Sequence, residues 1–232
     1  IQLVHKKYLI IGPKCVVWPQ KVNGQKILKV PIKKFIYLIS PNKIKSKTFY
    51  NNLDLVLKSK KVKFFQLRLK KEKNKKKVII AKKIIKICKK NKVKLIINDD
   101  PHLALKVKAH GCHLGQKDMN ISNAKKILKN KIIGVTCHNS IKLAKNASLS
   151  GAHYIALGSF YNTRTKKVIY KAKVQTLKKI KETLKIPVVA IGGINHRNYK
   201  NLLLNKADFL AISSYIWKNK KYKPQEAIKC LV

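Results

Sequence analysis

The stretch LIINDDPHLALKVKAHGCHLGQKD, residues 95–118, contains Asp99, Asp100 and Asp118, three of only 8 acidic residues in a chain of 232. Each follows or closes an apolar run. Carboxylates brought together from two neighbouring strand ends can hold a hard cation such as Mg²⁺, which takes one or two carboxylates and leaves its other positions to water and phosphate oxygens. Asp99 and Asp118 are the candidate metal ligands, with local capping or pairing to lysine as the alternative. Asp100 stands directly before Pro101 and a helical segment, which suits a helix cap.

Cations and hydroxyls gather in the same kind of position. In QLRLK, strand alternation sends Gln66, Arg68 and Lys70 to one side and Leu67 and Leu69 to the other. A guanidinium fork, an ammonium and an amide converging on one spot suit a phosphate or pyrophosphate. GSFYNTRTKK places Thr163, Thr165 and Lys166 in a long loop, and hydroxyls with a lysine are what a phosphate-binding or substrate-covering loop needs. Gly192 and Gly193 end one apolar run, where a missing side chain lets backbone approach a ligand, and Ser213 and Ser214 end another. Two anion-binding groups and a metal describe a site for two phosphorylated substrates.

Such residues need a scaffold that delivers them to one end. From about residue 33 onward, short β-rich runs alternate with lysine-rich stretches of helical periodicity. The runs are 34–40, 62–68, 93–99, 111–115, 131–136, 153–159, 187–193 and 208–213, and the helical stretches include 75–92, 120–130, 140–151, 174–185 and 196–206. Eight near-continuous apolar strands separated by helices predict an α/β fold, a closed (β/α)8 TIM barrel over residues 34–232, with a doubly wound open sheet as the alternative. In such a barrel the strand ends carry the active site, which is where the polar residues above fall. Residues 1–33 are read as an N-terminal extension without assigned function. They start at Ile1 and show no signal-peptide pattern.

The charge of +47, from 55 Lys+Arg against 8 Asp+Glu, would ordinarily suggest a polyanion partner. Only Arg68, Arg164 and Arg197 are arginines, however, and the lysines spread along the whole chain beside ordinary apolar periodicity. Readers of nucleic acid favour arginine and interleaved aromatics, so no specific nucleic-acid partner is expected. No apolar run is long enough for a membrane span. Five cysteines without a C-x-x-C pair fit a reducing cytoplasm. A homo-oligomer is compatible with all of this.

In order and at compatible spacing, QLRLK, NDD, HLGQKD, GVTCH, TRTK, AIGGI and ADFLAISS resemble the thiamine phosphate synthase family over residues 35 to about 218. The resemblance implies a (β/α)8 barrel joining a hydroxymethylpyrimidine diphosphate to a thiazole phosphate, giving thiamine monophosphate and pyrophosphate with Mg²⁺. It implies that Gln66, Arg68, Lys70 and Asn98 bind the pyrimidine diphosphate, with Lys166 on its pyrophosphate. Asp99 and Asp118 match the metal ligands. Thr136 stands where the family usually has serine, and the hydroxyl is kept. Thr163, Arg164, Thr165, Gly193, Ser213 and Ser214 match the thiazole phosphate contacts, and Arg68, Lys70, Thr136 and Lys166 are the residues expected to carry the chemistry. His113, His138 and His153 lack metal-type spacing and are read as packing or supporting residues. KADFL departs from the family where glycine often flanks Ala-Asp, so the turn before the last strand is expected to differ. A thiazole tautomerase on the same fold and a polyanion-binding barrel are the competing readings. The intact Asp99/Asp118 pair and TRTK loop set the chain apart from the tautomerase.

Overall fold

The computed structural model describes residues 21–22, 25–26, 35–44, 46–70, 72–163 and 169–231. Eight strands follow one another as parallel neighbours: β1 (Ile36–Ile39), β2 (Val62–Leu67), β3 (Lys94–Asn98), β4 (Gly111–Leu114), β5 (Ile132–His138), β6 (Tyr154–Gly158), β7 (Val188–Ile191) and β8 (Phe209–Ile212). β8 pairs with β1, Leu210 opposite Ile36, so the sheet closes into a barrel and the open-sheet alternative falls. Between and after the strands run α1 (Lys47–Leu57), α2 (Asn74–Lys90), α3 (Pro101–Lys106), α4 (Ile121–Leu128), α5 (Ile141–Leu149), α6 (Val174–Thr183), α7 (Tyr199–Leu204), α8 (Ser214–Trp217) and α9 (Pro224–Ala227). The N-terminal residues that are described form a short antiparallel pair, Lys21–Val22 with Gln25–Lys26. The rest of that extension lies outside the described residues.

The strands are buried on both faces, which is why they read as continuous apolar runs. Their outward side chains pack beneath the helices: in α2, Ile80, Ala81, Ile84, Ile85 and Cys88 are buried at three- and four-residue spacing while lysines take the outer face. Each such large aliphatic side chain contributes about 1.5–3 kcal/mol by leaving water. The inward side chains form a smaller second core of Tyr37, Ile39, Phe64, Ile96, Tyr154, Ala156, Val189 and Ala211. That core plugs the barrel, so polar residues at its carboxyl end stand on a solid floor.

Helix starts are chemically marked. Asp100 accepts from the Leu103 amide at 2.8 Å with Pro101 at the first helical position, as the sequence predicts, and Asn120 and Ser140 cap α4 and α5 in the same manner. Helix ends are marked by lysine where glycine is usual. Lys92, Lys108 and Lys206 all take left-handed backbone, with φ of 54°, 54° and 66°. The last of these is the turn before β8, where the sequence departs from the family: a lysine adopts the conformation a glycine would supply.

Candidate active site

The carboxyl ends of β2, β3, β4 and β5 lie side by side, and the register fixes which residues meet. Ile39 is opposite Gln66, Asn98 opposite His113, and His113 opposite Gly134. Gln66 is buried among the inward side chains, Arg68 is half-buried and Lys70 is exposed, but the strand ends at Leu67, so strict alternation does not extend to Lys70, which lines one cavity together with Leu67 and Leu69. The Arg68 backbone amide donates to Ser40 Oγ at 2.9 Å and its guanidinium to Asn42 Oδ1 at 2.8 Å, which ties the arginine to the end of β1. Burial lowers its pKa somewhat, and the Asp99 carboxylate opposes that shift.

Asp99 sits just past β3 in left-handed backbone, φ 65°, with its amide donating to the His113 carbonyl at 2.8 Å. That turn aims its side chain across β4. Lys70 Nζ approaches Asp99 Oδ2 at 3.1 Å. Asp118 accepts from the Gly115 amide at 2.7 Å, which pins the loop after β4, and its carboxyl lies close to that of Asp99. Burial, and then the Asp99 carboxyl, push the Asp118 pKa up. The two expected ligands are therefore neighbours, an arrangement that a shared cation would suit. No group of three or more His, Cys, Asp or Glu suited to a metal occurs among the described residues. A cation held here would complete its shell with water and phosphate oxygens, which is how Mg²⁺ is usually bound beside phosphorylated substrates. Next to the pair, Leu67, Leu69, Lys70, Lys77, Asn98, Asp99, Asp100 and Leu103 line a cavity between β2 and β3.

Thr136 lies on β5, and its hydroxyl is 2.9 Å from His113 Nε2. The Gln116 side-chain amide donates to the Thr136 carbonyl. Burial pushes the His113 pKa down to about 4, so the imidazole is neutral. His113 Nδ1 is 3.0 Å from the Tyr154 hydroxyl, which is 2.7 Å from that of Tyr37. His153 accepts the Ile133 amide at 3.2 Å, a supporting role as read from sequence. The His138 ring packs on Tyr170 with centroids 4.3 Å apart and the planes tilted by 31°. Tyr37, Tyr154 and the supporting Asn42 and Gln116 escaped the sequence reading. Both phenols take inward positions in FIYLIS and HYIALGS, but a run buried on both faces does not mark which alternate residues face the axis.

On the opposite rim, Gly192 and Gly193 turn with φ of 110° and 63°. A Cβ on Gly192 would strike Ser159 Oγ and one on Gly193 would strike the Asn162 carbonyl, so these glycines let the loop after β6 pack against the end of β7. Tyr161 donates its amide to the Gly192 carbonyl at 3.1 Å in the same contact. Ser213 and Ser214 open α8 just beyond β8, and Ser213 Oγ reaches the Ser40 carbonyl at 3.4 Å. Thr163 is described, half-buried in the loop after β6. Arg164, Thr165 and Lys166 lie outside the described residues, so their expected roles rest on sequence.

Residues 36–216 match the family model for thiamine monophosphate synthase. The chain belongs to the thiamine monophosphate synthase family. The chain is 67% identical over 199 residues to a thiamine-phosphate synthase of Pelagibacter ubique (strain HTCC1062), covering 86% of this chain and 96% of that one. It is 43% identical over 165 residues to a thiamine-phosphate synthase of Fusobacterium nucleatum subsp. nucleatum, covering 70% and 79%. Among solved structures, a thiamine phosphate pyrophosphorylase from Pyrococcus furiosus superposes with a TM-score of 0.75 at 30% identity, over 86% of this chain and 94% of its own. A 3-hexulose-6-phosphate synthase from Salmonella typhimurium, at 13% identity and TM-score 0.62 over 84% and 96%, shares the fold alone. The activity is that of a thiamine phosphate synthase, a transferase of thiamine biosynthesis, and the tautomerase and polyanion-binding readings give way to it. No helix among the described residues is long and apolar enough to cross a membrane.

Proposed function

We propose that this chain condenses a 4-amino-2-methyl-5-(diphosphomethyl)pyrimidine with a 4-methyl-5-(2-phosphoethyl)thiazole, with Mg²⁺, in the cytoplasm. The observation that carries this reading is the closeness of the Asp99 and Asp118 carboxyls, with Lys70 Nζ 3.1 Å from Asp99 and the Arg68 guanidinium within its field. Two acids and two cations from three neighbouring strand ends suit a magnesium diphosphate. Asp99 and Asp118 would hold the ion, whose chemistry is to neutralise the diphosphate as its charge grows.

The bond from the pyrimidine methylene to the diphosphate oxygen breaks, and its electron pair leaves with pyrophosphate. The methylene cation left behind is stabilised by the aminopyrimidine ring, and the thiazole nitrogen lone pair then forms the new C–N bond. Arg68, Lys70 and Lys166 stabilise the developing anion, while Gln66, Asn98 and Thr136 hold the pyrimidine half in line. Thr163, Arg164, Thr165, Gly193, Ser213 and Ser214 receive the thiazole phosphate on the other rim. No protein nucleophile is needed. Free thiols at Cys88, Cys112, Cys137 and Cys230 fit a reducing compartment.

Purified protein mixed with both substrates should form thiamine phosphate only when Mg²⁺ is present. Asp118→Ala should lower kcat/KM at saturating Mg²⁺ by about 10²–10³-fold, on the scale of losing a group that acts on the transition-state charge. Turnover that survives a chelator, or an Asp118→Ala enzyme as fast as wild type, sinks the metal assignment.

A further inference from the structure

The barrel floor is not purely apolar. Gln66, Tyr37, Tyr154 and His113 are all buried, and Tyr37, Tyr154 and His113 form one hydrogen-bonded line across the interior that ends at the Thr136 hydroxyl. Its outer end is Thr136, a residue assigned above to the pyrimidine diphosphate. Buried polar groups persist in a core when every member is satisfied, and here each hydroxyl and ring nitrogen has a partner. The backbone makes room for this line. A Cβ on Gly134 would fall 1.9 Å from Tyr154 Cζ and 2.3 Å from its hydroxyl, so the phenol occupies the space that any larger residue at 134 would fill.

The direction of the hydrogen bonds follows from donor strength. A neutral imidazole has one N–H and one acceptor nitrogen. A phenol, with a pKa near 10, is a far better donor than a neutral imidazole N–H. Tyr154 therefore donates to His113 Nδ1, which leaves the proton on Nε2. Nε2–H then donates to Thr136 Oγ, and the Thr136 proton is left to point at whatever sits above it. Reversing the line would consume that proton and turn Thr136 into an acceptor facing an anion.

We propose that Tyr154, and behind it Tyr37, are positioning residues that lock His113 in the Nε2–H tautomer so that Thr136 presents its hydroxyl proton to the bound diphosphate. The inference rests on the assignment of Thr136 to that substrate, but its first test does not. In protein labelled with ¹⁵N-histidine, without substrate, the His113 signals, identified by their loss in His113→Gln, should show a protonated Nε2 and a bare Nδ1. In Tyr154→Phe, which keeps the ring and removes the donor, they should shift toward a tautomer mixture. An Nδ1–H wild type, or a tautomer indifferent to Tyr154→Phe, overturns the proposal whatever the enzyme turns over.

Kinetics supply the second arm. Tyr154→Phe should lower kcat roughly tenfold, about one hydrogen bond's worth, with little change in KM, and Tyr37→Phe should do so less. Adding Tyr154→Phe to Thr136→Ala should cost nothing further, whereas adding it to Thr136→Ser should cost the same tenfold. Full additivity with Thr136→Ala would show that Tyr154 acts on the barrel at large and would overturn the positioning role. If instead the tautomer behaves as stated while wild type forms no thiamine phosphate, the hydrogen-bond line stands and the substrate assignment falls.

Discussion

His113 shows how much one residue in this barrel can be read for. Its ring is buried and its pKa falls from 6.5 to about 4, since burial disfavours the charged form. Above about pH 6.5 neither the folded nor the unfolded chain binds a proton at this ring. Between 6.5 and 4 the unfolded chain binds it and the folded chain does not, so this residue's contribution to stability is whole above pH 6.5 and is lost as pH falls toward 4. A shift of that size is worth roughly 3 kcal/mol at most. Denaturant unfolding of wild type and His113→Gln, run from pH 7 to pH 4, should therefore give curves that converge as pH falls, because only wild type carries this loss. Parallel curves would mean that the ring is solvated or protonated in the folded protein. Asp118 moves in the opposite chemical sense, its pKa raised by burial and by Asp99, and that crowding is what a divalent cation relieves. The same floor thus keeps one group uncharged while a few ångströms of chain away it holds two acids together.

At the scale of elements, the strands were legible because β-branched and aromatic runs buried on both faces cannot be disguised by surface drift. All eight lie where the apolar runs fall, and β5 runs two residues further than expected. The same double burial explains what was missed. In a continuous apolar run nothing marks which alternate faces the axis, so Tyr37 and Tyr154 did not stand out, and only pairing across the barrel shows their hydroxyls meeting at 2.7 Å. The polar strand ends, by contrast, announced Gln66, Arg68, Asp99 and Asp118. Helix ends were the least legible element. α2, α3 and α7 each close with the paired backbone bonds of a Schellman turn, such as Ala207 N–H to the Leu202 carbonyl at 3.0 Å and Lys206 N–H to the Leu203 carbonyl at 3.0 Å. The left-handed residue in these turns is Lys92, Lys108 or Lys206, while the matching turn after α5 uses Gly151 at φ 85°. A left-handed lysine costs roughly 1–2 kcal/mol against glycine, partly offset by the entropy glycine loses on folding. Lys92→Gly, Lys108→Gly and Lys206→Gly should each add about 0.5–1 kcal/mol of stability in chemical denaturation, additively, and Gly151→Lys should remove a similar amount. Loss of stability in the three glycine variants would show that the lysine side chains earn more through contacts than their backbone costs.

The whole molecule carries +47 with 8 acidic residues, and its ion pairs, such as Lys181 with Asp208 at 2.8 Å, engage few of the lysines. Most of the charge is therefore a field rather than a set of bonds. It acts in two ways that salt separates. Repulsion among surface lysines opposes the compact state, and at 0.15 M salt screening shortens its reach to about 8 Å. The melting temperature should accordingly rise as NaCl goes from about 20 mM to 300 mM, where a protein of balanced charge would change little. The same field draws in anions, and both proposed substrates are phosphorylated. Their capture should be fast at low ionic strength, so kcat/KM should fall as salt rises. The chemistry proposed at the ends of β2 to β5 would take place among partly buried charges that salt screens poorly, so kcat should hold. Steady-state kinetics with NaCl varied and Mg²⁺ kept saturating measure both quantities in one series. A kcat/KM that is flat with salt would show that the lysines are a compositional coat without bearing on substrate capture, and a kcat that falls in step with it would place the salt effect in the site itself.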